Sequence, residues 1–72
     1  MSDKQEATFR NVIGFADYAE RGVTALLGGV KGHPRLGQQD SVRTSRIERI
    51  EYSGDQINAI ETLNTLYVRE GY

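Results

Sequence analysis

The stretch "DKQEATFRNVIGFADYAER", residues 3–21, decides the fold class. Phe9, Val12, Ile13, Ala16 and Ala19 follow the i, i+3, i+4, i+7, i+10 spacing of one helical face, which predicts an amphipathic helix. Ser2 or Asp3 suits the N-cap, and Asp3 and Glu6 suit the positive end of the helix dipole. Arg21 followed by Gly22 reads as a C-terminal stop. Gly14 costs about 1 kcal/mol inside a helix, so it either weakens the helix or marks a close contact there. Phe15 and Tyr18 fall partly off the core face, as the edge of the same core or as cover for a neighbouring subunit.

Beyond residue 22 the chain changes character. In "VTALLGGVK" (23–31) the β-branched and apolar content rises, and Gly28 with Gly29 interrupts alternation as a bulge or barrel corner does, so a bent strand is expected. Proline then forces His33 into extended or turn geometry. A second strand is expected over 41–52, "SVRTSRIERIEY", with a bulge around Ser45 and Arg46 because Ile47 is out of phase with its neighbours. "SGDQ" (53–56) is a turn. Residues 56–69 satisfy both a strand and a helix spacing. The Thr, Tyr and Val content of "TLNTLYV" favours the strand, as the return arm of a hairpin with 41–52. The expectation is therefore one α+β domain spanning 1–72: a helical segment over 1–22, then a bent three-stranded antiparallel meander over 23–70. Three long curved strands could also split into the five segments of an SH3-like small barrel.

At 72 residues the chain buries little core, and with no cysteine it has neither a disulfide nor a thiolate metal site to supply stability. A homo-oligomer burying surface between chains is the expected remedy. The net charge is −1, unevenly spread. Residues 31–50 carry Lys31, Arg35, Arg43, Arg46 and Arg49 against Asp40 and Glu48, whereas 51–72 carry Glu51, Asp55, Glu61 and Glu70 against Arg69. Opposite patches suit head-to-tail contact or an anionic ligand. A duplex-DNA protein carries a larger basic excess, so nucleic acid ranks low as a partner. No apolar run approaches a membrane span and "MSDKQEA" lacks a signal-peptide core, which gives a cytoplasmic expectation with no membrane partner.

The chemistry concentrates in "GHPRLGQQDSVRTSRI" (32–47), which holds the only histidine and the only proline together with Arg35, Arg43 and Arg46. A metal site at His33 lacks a second histidine or a cysteine, and neither Ser41 nor Ser45 sits in a nucleophile motif. The expectation is thus a non-enzyme without metal or cofactor. "GGVKG" lacks the spacing and the following helix of a phosphate loop. The tyrosines are not interleaved with basic residues as single-stranded nucleic acid requires. Arginine forks with hydroxyls beside them can bind phosphate or carboxylate, although a solvated basic strand face accounts for the same residues. The candidate ligand-binding set is His33, Arg35, Arg43, Thr44, Ser45 and Arg46, with Asn64 and Thr65 facing them across the hairpin. Cross-strand Thr and Ser pairs are also ordinary sheet structure.

"GHPRL" (32–36), "VRTSRI" (42–47) and "ETLNTLYV" (61–68) resemble a loose family of very short, mostly uncharacterised phage and prophage proteins. Those carry a Gly-x-Pro turn, a Thr-Ser strand and a closing E-T-x-N-T-x-Y strand. The resemblance covers about residues 23–69 and omits the N-terminal segment. It implies strands at 42–47 and 61–68, and a phage accessory protein in the cytoplasm of a bacterial host. It also implies binding rather than catalysis: of a host protein, a nucleic acid or a nucleotide signal of antiphage defence. The function expected from residues and resemblance together is an oligomeric protein sequestering a small anionic or nucleotide-type ligand. A protein-interaction inhibitor or a small nucleic-acid-binding module is the alternative.

Overall fold

The N-terminal stretch forms strands instead of a helix. The computed structural model describes residues 4–18, 22–33 and 37–71, and these hold β1 (Gln5–Phe9), β2 (Asn11–Tyr18), β3 (Gly22–His33), β4 (Gly37–Arg43), β5 (Ile47–Ser53), β6 (Gln56–Thr62) and β7 (Thr65–Arg69), with no helix among them. The α+β expectation is corrected to an all-β fold. Ala7 and Phe9 are buried in one phase of alternation, while Val12, Gly14 and Ala16 are half-buried in the other. A break at Arg10, whose N–H donates to the Gly28 carbonyl at 2.8 Å, separates the two phases. A second slip, between Val12 and Gly14, leaves Val12 against the core and puts Gly14 and Ala16 on the opposite face, and the two shifts together make the apolar positions mimic a helical stripe. Thr8, Val12, Ile13, Phe9 and Phe15 are residue types that favour the pleated conformation, and a ladder partner on β3 lets the preference win.

The three-stranded meander is corrected as well. Residues 41–52 are divided between β4 and β5 by a corner at 44–46, and 56–69 are divided between β6 and β7 by a turn at 63–64. Two local meanders result, β2–β3–β4 and β5–β6–β7, each antiparallel throughout. They join through β1, which runs parallel to β7 from Gln5↔Thr65 to Phe9↔Arg69 and meets β3 at Thr8↔Lys31. The sheet is mixed and curled, with nearly equal extents of 31 × 28 × 28 Å. Its inner face encloses Ala7, Phe9, Ala25, Leu27, Val30, Val42, Ile60 and Tyr67.

β3 bends along its length. Leu27 and Val30 are both fully buried although three residues apart, which flat alternation forbids. Gly29, at φ 61, supplies the odd residue, and the register against β4 slips between Val30 and His33. The hairpin between β5 and β6 turns at Gly54 (φ 63) and Asp55, inside the expected 53–56 turn.

The corner at 44–46 is held by one side chain. Thr44 is 3% exposed; its N–H donates to the Ala25 carbonyl at 2.8 Å, and its Oγ1 accepts from the Ala25 N–H at 3.0 Å. The same hydroxyl donates to the Ser45 carbonyl at 2.8 Å. Thr44→Val keeps the volume but leaves the buried Ala25 N–H unpaired, so a loss of about 1–3 kcal/mol is expected. Thr44→Ser retains most of it. Urea denaturation compares them, and a valine variant as stable as the parent would remove this role from Thr44.

Candidate functional site

The fold distributes the sequence-predicted residues over two regions. Thr44, Ser45 and Arg46 sit at the corner beside Ala25, and Arg43 pairs with Leu26 at the end of β4. His33 lies eight residues further along β3, a contour of about 26 Å at strand rise. There its ring meets Tyr67 at 6.1 Å between centroids, tilted by 39°. Thr65 belongs to this second region: it lies two residues before Tyr67 on β7, and it pairs with Gln5 at the start of β1. Burial pushes the Tyr67 phenol above its ordinary range, with the Thr65 hydrogen bond opposing. Thr62 Oγ1 donates to the Thr65 carbonyl and accepts from its N–H, closing the 63–64 turn. Asn64 is exposed, and its carbonyl accepts from the Gln5 N–H at 3.3 Å. Arg35 lies outside the described residues. His33 and Thr65 are therefore joined through Tyr67, while the arginine and hydroxyl set occupies the other end of β3.

At the corner, Arg43, Ser45 and Arg46 are exposed on a backbone that Thr44 fixes. Arg46 lies across Gly22 and forms a long ion pair with Glu48, at 3.8 Å. On the sheet face opposite the core, Thr24 and Leu26 of β3 stand beside Ala16 and Gly14 of β2 and Arg43 of β4, since directly paired residues share a face. With Phe15 these residues line a shallow depression of about 130 Å³. Thr24 is 8% exposed, and its Oγ1 has no hydrogen-bond partner among the described residues. Sequence reasoning reached Arg43 through its guanidinium and missed Thr24, Leu26, Gly14 and Ala16. The available signal was the alternation of Thr24 and Leu26 with the core residues Ala25 and Leu27.

A second depression, on β5, β6 and β7, is lined by Arg49, Glu51, Ala59, Glu61 and Leu66. Its charges are balanced locally. Arg49 pairs with Glu51 at 3.7 Å, and Lys4 reaches Glu61 at 2.7 Å and the Thr62 carbonyl at 2.8 Å. The Lys4 hydrogen bond, aided by the Lys4 and Arg49 charges and opposed by desolvation, holds the Glu61 carboxyl below its ordinary value of 4.5. A carboxyl depressed on folding stabilises the fold above its unfolded value and loses that contribution as pH falls through the folded one. Lys4→Met should therefore lower the urea midpoint at pH 6, and the gap from the parent should narrow below pH 4.5. A gap independent of pH would show that Glu61 does not depend on Lys4.

The fold and these surfaces define a small curled β-sheet protein. Comparison with protein-family models, with curated proteins and with solved structures gives no match to this chain. No helix among the described residues is long and apolar enough to cross a membrane. Among the same residues no group of three or more His, Cys, Asp or Glu is placed to hold a metal ion.

Proposed function

We propose that the chain is a non-enzymatic, oligomeric binding protein, a phage accessory protein of counter-defence that sequesters a small anionic, nucleotide-type ligand in the host cytoplasm. The observation that carries the anion reading is the corner at 44–46: a buried threonine pins the backbone from which Arg43, Ser45 and Arg46 project into solvent. Guanidinium groups on a fixed backbone lose less freedom on meeting an anion than the same groups on a mobile loop. The phage context rests on the resemblance of the three short stretches in 32–68. Oligomer formation is supported by Ile13 and Phe15, exposed on β2, and by Val23 beside them on β3.

Calorimetry against a panel of cyclic and linear nucleotides tests the reading. Heat with at least one member is expected, and Arg43→Ala and Arg46→Ala should each weaken it. Silence across the panel, or binding indifferent to both substitutions, would end it. A native mass measurement should show a species heavier than the 8.1 kDa chain, and a monomer at all concentrations removes the oligomer.

A further inference from the structure

We infer that β2 is a docking edge for the β2 of a second copy, the two strands pairing antiparallel about a twofold axis between Ile13 and Gly14. The inference rests on the oligomer reading above and gives it an interface. β2 is the end strand of the sheet and pairs with β3 alone among the described strands, so its outer edge offers backbone donors and acceptors to a further strand. The other strands with a single partner are guarded by charge. β5 carries Glu48, Arg49 and Glu51, and β4 carries Asp40 and Arg43, whereas β2 has no charged residue from Asn11 to Ala16. It exposes Ile13 and Phe15 instead.

The bulge selects a second copy as the occupant. Opposed residues of an antiparallel pair share a face, so a regular strand meeting itself opposes only residues of like parity. The slip between Val12 and Gly14 changes this. Val12 and Phe15 pair with the core residues Leu27 and Ala25 and so lie on the inner face, while Gly14 and Ala16 pair with Leu26 and Thr24 on the outer one. Asn11 and Ile13 also lie on the outer face, over Gly28, where an added Cβ would meet both. One register then matches every face: Asn11 opposite Ala16, Val12 opposite Phe15 and Ile13 opposite Gly14, each pair made twice. The side chains are complementary too. A Cβ built at Gly14 meets nothing within 4 Å, which leaves room for the partner's Ile13. Phe15 comes beside the partner's Val12, which packs against the core. At the ends, Arg10 of one copy faces the partner's Asp17. Arg10 is 71% exposed despite a long pair with Glu70 at 3.8 Å, and Asp17 is exposed with no ion pair among the described residues. Pairing β2 with β4 or β5 of another copy would leave edges open and propagate, whereas the self-pair closes at two chains.

The test is disulfide trapping in the full chain, which has no cysteine of its own, together with sedimentation velocity from micromolar to millimolar concentration. Asn11→Cys and Ala16→Cys combined in one chain should give a dimer held by two disulfides under mild oxidant, because opposed strand residues bring Cα atoms within the ~4.4–6.8 Å that a disulfide spans. Either substitution alone should give none, since each cysteine then faces an unsubstituted residue. Ile13→Lys, at an exposed side chain, should leave the circular dichroism unchanged and weaken the dimer about tenfold or more. A parent that stays monomeric throughout removes the oligomer reading and this seam together. An oligomer that the double variant does not trap, or that Ile13→Lys does not weaken, overturns the seam and leaves oligomer formation in place. Equal trapping of a single variant overturns the register, and a ladder of larger species in the parent overturns the closed pair.

Discussion

Phe9→Ala is expected to cost about 3–5 kcal/mol, the range for emptying an aromatic site in a packed core. Stability of about 0.05–0.15 kcal/mol per residue gives a chain of 72 residues about 4–11 kcal/mol, so that loss removes between about a quarter and all of it. Phe9 is fully buried on β1, the strand that joins both meanders, so its ring sits in the core cluster to which both contribute. Its backbone is committed too, since its carbonyl accepts from the Glu70 N–H at 2.7 Å. Urea denaturation followed by circular dichroism should show the midpoint falling by about 2 M or more, given slopes near 1 kcal/mol/M for small domains. Leu63→Ala, at a side chain 70% exposed, should move it little. A Phe9→Ala midpoint within about 0.5 M of the parent would mean that β1 does not join the core as described.

The second large effect is expected at Arg69, and its size comes from geometry more than charge. Its Nε donates to the Ile57 carbonyl at 2.7 Å, its Nη1 donates to the Arg10 carbonyl at 3.0 Å, and the guanidinium lies 5.2 Å from the Phe9 ring centroid. Ile57 lies where the β5 and β6 register slips, and Arg10 lies where β1 breaks from β2. One side chain therefore supplies donors to carbonyls at two interruptions of the ladder while covering an aromatic face. Hydrogen bonds from charged donors contribute about 1.5–3 kcal/mol, and Arg69→Met should lose about that much. Arg69→Lys should rescue little, because an ammonium cannot reach two diverging carbonyls and lie flat over the ring together. Full stability in the lysine variant would reduce Arg69 to an ordinary surface charge.

These two residues also show what the sequence could and could not reveal. The turn at 53–56 and the bend at Gly28 and Gly29 were legible because glycine chemistry acts locally. Strand preference over 56–69 was legible from its Thr, Tyr and Val content. The helix misread over 3–21 has a definite cause: the phase shift at Arg10 is stabilised by the Gly28 carbonyl, a partner that only the folded sheet brings near. The candidate site divides the same way. Arg43 announces itself by type, whereas Thr24 in "VTALLGG" looks like any β-branched strand residue. Its burial without a partner among the described residues is a tertiary fact. The separation of His33 from Arg43 and Arg46 is another, because β3 bends between the two regions.

The parallel pairing of β1 with β7 sets the kinetics of this chain. Gln5 and Thr65 are neighbours across sixty residues of sequence, whereas each meander is built from hairpins that close over short loops. Loop closure of that span must precede any reward from the parallel ladder, so the two hairpin units can assemble early and the seam between them last. The seam is then also the first thing to open. Amide exchange on Gln5–Phe9 should report one cooperative parting of β1 from β7, distinct from the slower melting of either half.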